Sequence, residues 1–413
     1  MRILWVKANK LLPVSSGGDI RSYNIAHGLA AQHDLTFLSY YDRTRDEEYE
    51  KELKRHFPDS VCFCTGKRTS SVPKRVLDYM VRFPSEAPYA VSRFASPRVR
   101  EKLRGWFQQG SFDVVVCDFL DAAVNFPRNI TIPTVLFQHN VESEIWRRLA
   151  LLQSHPAKKF LYQVEFAKMF GYERKMVRRF QHVIAVSEHD RSLMSRWVDP
   201  ARITVVPTGV DLKQFKGKSP AREMENLVIF VGAMDWGPNV DAVEYFCQEI
   251  WPAVKAKIPD ARFRIVGRNP DRRVEKLAGE SIEITGSVPS VVDHLYAAAV
   301  VVVPLRIGGG TRLKIYEAMA AGKAVVSTSV GAEGLDVHHG SDIVLADDPT
   351  TFAENVVGLL RDEQLRRRYE QSAAALAAKY DWAAISEKFL SVLGSLAGGV
   401  PMMRGQYVSA TEA

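Results

Sequence analysis

Short, continuously apolar runs recur along the chain, with longer amphipathic stretches between them. In the first half they fall at Ile3 to Val6, Leu35 to Tyr41, Val61 to Cys64, Val114 to Cys117, Thr134 to Phe137, Val183 to Val186 and Ile203 to Val206. In the second half they fall at Leu227 to Val231, Phe263 to Val266, Ile282 to Ile284, Val300 to Val303, Ala324 to Ser327 and Ile343 to Leu345. Runs of this length rich in β-branched residues read as strands, and their lack of polar alternation means that both sheet faces are covered. Strands alternating with helical stretches predict an α/β fold of parallel sheets joined by crossover helices. Beyond Asp348 the pattern is helical: Phe352 to Arg361, Glu363 to Lys379 and, after a break at Tyr380-Asp381, Trp382 to Leu393.

The two strand series are separated by Pro207-Thr208-Gly209-Val210-Asp211 and by Lys213 to Glu225, rich in Lys, Gly, Ser and Pro, which reads as a linker. The expected organisation is a first doubly wound domain over 1–207, a linker over 208–225 and a second domain over 226–380. A helix over 381–397 is expected to pack back on the first domain, ahead of a disordered tail over 398–413. Doubly wound sheets bind ligands beyond the carboxyl ends of their strands, so two facing domains put the site in the cleft between them.

The 413 residues carry a net charge of +7, and its distribution is uneven. Residues 1 to 210 hold a net +10 and the remainder a net −3, so the basic excess belongs to the first domain. It concentrates between Lys67 and Arg104, where Lys74, Arg75, Arg82 and Arg93 are interleaved with Tyr79, Met80, Phe83 and Tyr89. Such a stretch suits an anionic membrane surface or a phosphorylated lipid acceptor, and equally an ordinary solvated face; no nucleic-acid-binding module accompanies it. Four cysteines without metal-ligand spacing make neither a disulfide framework nor a metal site, and Cys62 and Cys64 read as small apolar residues of one strand. No signal peptide or membrane-spanning run is read, which predicts a cytoplasmic protein, at most peripheral on the inner face of the plasma membrane.

The sharpest local feature follows the strand ending at Val303. Three glycines, Gly308 to Gly310, lead into a helix beginning near Thr311, and amides at such a helix start suit phosphate. Helical spacing puts Gly310, Lys314 and Glu317 on one face, a cation beside the anion and a carboxylate one turn deeper for vicinal hydroxyls. A plain glycine turn with a surface Lys314–Glu317 pair fits the same spacing. Neither a P-loop nor a dinucleotide fingerprint is present. Gly17-Gly18-Asp19-Ile20-Arg21 repeats the arrangement after the first strand, opening a helix over Tyr23 to Ala31, where a structural turn is the alternative. His139-Asn140 follows the strand ending at Phe137, so both side chains are expected at the cleft rim, with helix capping the competing role for Asn140.

The run from Gly310 to Val326 resembles the donor-binding segment of the retaining family 4 glycosyltransferases, which have the GT-B fold of two Rossmann-like domains facing across a cleft. Val205 to Asp211 resembles that family's linker, Val183 to Glu188 its last N-terminal-domain strand and Gly17-Gly18 its N-terminal glycine loop, in the same order over nearly the whole chain. The resemblance implies metal-independent transfer of a sugar, with retention, from a UDP- or GDP-sugar co-substrate to a glycan or lipid-linked acceptor held by the first domain, without a resident cofactor. It implies that Glu317 binds the ribose hydroxyls, that Gly309, Gly310 and Thr311 line the diphosphate and that Arg268 and Val288 lie at the base. It also implies that His139 sits by the transferred sugar and that Gly17 and Gly18 approach from the opposing domain, with Asp19, Arg21 and the basic residues toward acceptor or membrane.

Two features depart from the pattern. The glutamate usual eight positions before Glu317 is Gly309 here, and the Arg and Lys usual after the second domain's first strand are replaced by Ala233-Met234-Asp235-Trp236-Gly237. Arg306, Arg312 or Lys314 is therefore expected to supply the positive charge at the leaving phosphate, Lys314 having the best spacing. Other readings are a nucleotide-sugar epimerase or hydrolase on the same architecture and a non-catalytic nucleotide-sugar-binding relative.

Overall fold

The computed structural model describes residues 1–14, 16–42, 44–65, 72–215, 223–307 and 313–398, the side chains of 72–75 and 152 excepted. The strands are β1 (Arg2–Ala8), β2 (Asp34–Tyr41), β3 (Val61–Cys64), β4 (Val114–Asp118), β5 (Thr134–Phe137), β6 (His182–Ala185) and β7 (Ile203–Val205), then β8 (Leu227–Val231), β9 (Arg262–Val266), β10 (Ile282–Gly286), β11 (Val300–Val303), β12 (Ala324–Ser327) and β13 (Val344–Leu345). They form two wholly parallel sheets, ordered β3-β2-β1-β4-β5-β6-β7 and β10-β9-β8-β11-β12-β13. In each, the chain reverses direction beside the sheet's first strand, a switch point that opens a crevice at the carboxyl edge.

Apolar clusters cover both faces of the first sheet: Leu4, Val6, Val115, Leu136 and Phe180 on one side, Ile3, Trp5, Phe37, Val116 and Phe137 on the other. The second domain has its own core around Phe230, Phe246, Phe263, Val302 and Phe352. Continuous apolar strands thus find helices on both faces, as their lack of alternation requires.

The last helix, Trp382–Ala397, lies on the first domain. Its Ile385, Phe389, Val392 and Leu393 belong to the core cluster of Ile3, Trp5 and Phe137, and it crosses the Gly17–Ala30 helix where a Cβ on Gly28 would meet Ser386 Oγ at 2.7 Å. Outgoing and returning chain cross side by side: Val210 N donates to Tyr380 O at 2.7 Å, and a Cβ on Gly209 would meet the Trp382 ring at 2.6 Å.

The domains also meet at the carboxyl edges of their sheets. Arg148, on the helix after β5, donates twice to Glu333, beyond β12, each bond 2.7 Å, and His189 Nε2 lies 3.4 Å from the same carboxylate. A Cβ on Gly334 (φ +82°) would come within 2.9 Å of the Ser187 Cβ. These contacts turn the two crevices toward each other.

Candidate functional site

The first half of the site grows from the register of β1, β4 and β5. Lys7 stands opposite Asp118 in the β1–β4 ladder, and β5 runs out beside β4 into Gln138 and His139. Each is a polar residue just where an apolar strand ends, so the sheet delivers three functional groups to one point. The buried Asp118 carboxylate accepts from His139 Nε2 at 2.7 Å and from Trp5 Nε1 at 2.9 Å, with Lys7 Nζ 3.4 Å away. Lys7 also reaches Ser22 Oγ at 3.3 Å and Asp19 at 3.5 Å. Burial opposes the charge on Asp118, but Lys7 and His139 hold its carboxyl well below the ordinary value. Burial likewise opposes the Lys7 ammonium, and Asp118 and Asp19 raise it above normal. Burial wins at His139, lowering the imidazole to about 4 against the pull of Asp118.

Above this cluster the Gly17–Ala30 helix begins. Ser16 caps it, its Oγ accepting from Asp19 N at 3.2 Å and donating to Asp19 Oδ2 at 2.7 Å. A Cβ on Gly18 would lie 3.7 Å from His139 Nδ1, so the glycine turn and the imidazole touch. Nδ1 itself is buried without a hydrogen-bond partner. Phe119, held at φ +73°, sets its ring edge-on to His139 with centroids 5.1 Å apart.

The second half lies at the ends of β8, β9 and β11. Lys314, on the Leu313–Ala320 helix, donates to Asn239 Oδ1 at 2.8 Å, and its ammonium rides 4.1 Å above the Phe230 ring centroid. A Cβ on Gly232, the residue after β8, would stand 2.9 Å from Lys314 Nζ. Lys314 therefore fills the place where the second domain's first strand ends without its own cation. One turn on, burial raises the Glu317 carboxyl to about 7, with Lys314 opposing. Arg268 follows β9 with a buried Nε that has no partner, and Val288 follows β10, half-buried.

Several expectations change. Arg306 is engaged elsewhere: it is bidentate to Asp241 (2.6 and 3.1 Å) and stacks on Tyr245, so its charge is already matched. Arg21 is buried, not on an acceptor or membrane face; its Nη1 donates to His139 O at 3.4 Å. Asp19 is turned to Ser16 and Lys7 inside the site. His139 lies beneath the rim, 7% exposed. Asn140 caps no helix: Val141 is the N-cap of Glu142–Leu152, and Glu173 from a neighbouring helix accepts the free amides of Glu142 (2.8 Å) and Ser143 (3.1 Å). Arg82 is tied to Asp78 and Ser92 O, while Arg93 is exposed over Phe94. Gly309, Gly310, Thr311 and Arg312 lie outside the described residues, as do the side chains of Lys74 and Arg75 and the tail from 399.

Two family models divide the chain between them: Glycosyltransferase Family 4 matches residues 15–214 and Glycosyl transferases group 1 matches residues 225–362. The chain belongs to the family 4 glycosyltransferases. This glycosyltransferase is 26% identical over 332 residues to a phosphatidyl-myo-inositol mannosyltransferase of Mycolicibacterium smegmatis, covering 77% of this chain and 80% of the relative. Among solved structures, a sucrose-phosphate synthase from Thermosynechococcus elongatus superposes with TM-score 0.73 at 17% identity, over 97% of this chain and all of the other. Anabaena HepE, in complex with UDP and glucose, gives 0.64 at 15% identity over 96% of this chain and all of the other. The architecture is therefore GT-B.

Residue-by-residue reading of the sequence did not single out three residues that the fold brings to the candidate site, Lys7, Asp118 and Asn239. The available signal for the first two was a charged residue ending an otherwise apolar strand, in RILWVKA and VVVCD. Among the described residues no three or more His, Cys, Asp or Glu side chains gather as a metal-binding group.

Proposed function

We propose that this glycosyltransferase moves a sugar from a UDP- or GDP-sugar to a hydroxyl of a glycan or lipid-linked acceptor, with retention at the anomeric carbon, in building a surface polysaccharide or glycoconjugate. The observation that carries the reading is the pair at the second domain's carboxyl edge: the Lys314 ammonium over the end of β8 and the Glu317 carboxyl one turn further. In this reading Glu317 accepts from the ribose hydroxyls and Lys314 stabilises charge on the departing diphosphate. The bond from the anomeric carbon to the diphosphate oxygen breaks, its electron pair leaving with the phosphate. The acceptor oxygen bonds to the same face and its proton passes to the leaving phosphate. No resident cofactor is called for. An open cavity of about 710 Å³ at the ends of β1 and β2, lined by Asn9, Lys10, Tyr41, Asp42, Arg45 and Asp46 among others, supports an acceptor place on the first domain. Nucleotide release that depends on added acceptor supports transfer; equal release without acceptor means hydrolysis, and no release with any nucleotide sugar overturns the reading.

Glu317 gives this function a pH signature. Its carboxyl is raised to about 7, so the folded protein holds a proton that the unfolded chain releases at lower pH. The group's contribution to stability therefore declines as pH rises from the ordinary glutamate value toward 7, while only the ionised form accepts from both hydroxyls. Affinity for an intact UDP- or GDP-sugar is expected to increase as pH rises through about 7, and Glu317→Gln is expected to flatten that profile. Calorimetric titration of both proteins across this range checks it; identical slopes remove Glu317 from the donor site.

The same reading puts the enzyme on the cytoplasmic face of the plasma membrane. The Val72–Arg82 helix exposes Val76, Leu77, Met80 and Val81, followed by Phe83, and Leu151, Phe160 and Leu161 are exposed on the neighbouring helical hairpin. The two are joined by Tyr79 Oη to Glu165 at 2.9 Å and by Lys168 to Phe83 O, and exposed Lys158 and Lys159 fringe the patch. Apolar side chains ringed by lysines suit an anionic bilayer, and no helix among the described residues is long and apolar enough to cross one. Leu77→Ser/Met80→Ser/Val81→Ser is expected to weaken sedimentation with phosphatidylglycerol vesicles by roughly tenfold or more, since each apolar side chain inserted is worth about 1.5–3 kcal/mol. Unchanged sedimentation would free the patch for another role.

A further inference from the structure

A short, well-braced finger of the second domain reaches the first. After β12, Thr328 caps the helical turn Ser329–Ala332, its Oγ1 accepting from Gly331 N at 2.9 Å and donating to Leu305 O at 2.5 Å. Asp347 accepts from Ser329 N and Ser329 Oγ, each at 2.7 Å. A Cβ on Gly331 would meet Val303 O at 2.5 Å, so the finger is seated directly on the end of β11. Glu333 is its tip, and the Arg148 guanidinium meets that carboxylate with two bonds of 2.7 Å, with His189 Nε2 at 3.4 Å. The Arg148 and Glu333 side chains are only 17% and 22% exposed. Arg148 belongs to the Glu142–Leu152 helix, which begins just after His139.

We propose that Arg148 and Glu333 are positioning residues, a latch between the domains that holds the Lys314–Glu317 half of the site at a working distance from the His139 half. The pair joins the end of β11, from which the chain runs on to Lys314 and Glu317, to the helix that follows His139, so its geometry sets the width of the cleft. A bidentate guanidinium–carboxylate pair fixes angle as well as distance, and partial burial spares it much of the screening that weakens exposed pairs. Both partners are residues of this chain, so the latch can form before a donor arrives. The inference rests on the reading above, in which one nucleotide sugar touches both domains. Apparent affinity for such a ligand scales with the fraction of molecules already in the competent arrangement, so lowering that fraction to about one in ten weakens binding about tenfold. A saturating donor restores the arrangement and leaves turnover nearly intact.

Small-angle scattering of the full chain without nucleotide tests the latch independently of activity. Arg148→Met and Arg148→Glu are expected to give a larger radius of gyration than wild type, and the charge-exchanged Arg148→Glu/Glu333→Arg protein to return toward it; equal radii in all of these proteins overturn the proposal. In steady-state kinetics each single change, Glu333→Arg included, should raise the KM for a UDP- or GDP-sugar roughly tenfold and change kcat by less than about threefold. The exchanged double variant should recover a KM within about threefold of wild type, because both changes act on one contact and their effects do not add. A merely structural role would instead lower kcat or the unfolding midpoint with KM unchanged. That pattern, or a double variant no better than the single ones, overturns the assignment. If the wild-type protein binds no nucleotide sugar, the donor reading fails, and scattering alone then decides the latch.

Discussion

Lys314→Ala is expected to cut turnover by roughly 10²–10³-fold, the effect of removing one preorganised charge from a developing oxyanion. The ammonium is set by Asn239 Oδ1 at 2.8 Å and by the Phe230 ring 4.1 Å beneath it, over the end of β8. Those contacts fix its position before any donor arrives, so no reorganisation is needed as the phosphate departs. The chain has no cation of its own in the residues after β8, which run Gly232-Ala233-Met234-Asp235, so the helix after β11 supplies one from the side. Arg306→Ala is the matched control. It loses an exposed pair with Asp241, worth about 0–1 kcal/mol, and should leave turnover near wild type. Steady-state kinetics of both variants decide the matter: unchanged kcat in Lys314→Ala, or a comparable loss in Arg306→Ala, would move the role elsewhere. Thermal unfolding separates the chemistry from any loss of packing, because the lysine stem also covers apolar surface.

Phe389→Ala is expected to destabilise the protein by about 3–5 kcal/mol, the cost of emptying a fully buried phenylalanine site. Phe389 belongs to the final helix, yet its ring packs against Trp5 (5.6 Å between centroids) and Phe137 (5.0 Å) in the first domain. Trp5 hydrogen-bonds Asp118, and Phe137 lies 4.4 Å, ring to ring, from His139. The final helix thus packs on the same face of the sheet as the Asp118–His139 cluster and supports it through Trp5 and Phe137. Denaturant unfolding should show the loss of stability, and kcat in the surviving folded protein should fall as well. A midpoint within experimental error of wild type would mean that the helix is not anchored through this ring.

Strand positions and fold class were readable along the chain because both rest on local information. A parallel strand covered on both faces must be continuously apolar, and every run so identified forms a strand. The lysine and glutamate on the helix beyond β11 were readable for the same reason, since helical spacing fixes which residues share a face. Arg306 and Arg21 show where that logic stops. Their sequence neighbours place them beside the two glycine turns, but the side chains are claimed by Asp241 and by the His139 carbonyl, 65 and 118 positions away in the chain.

The Lys7–Asp118–His139 cluster shows the same limit from the other side. Nothing local links residues separated by 111 and 21 positions; only the strand order, with β4 between β1 and β5, brings them together. The sequence by itself determined the two sheets and the Lys314–Glu317 spacing on the helix beyond β11, through patterns that each segment carries alone. Tertiary structure decided which charges were buried, which were matched and which nitrogen of His139 was left bare, because burial and pairing depend on what the rest of the fold places nearby.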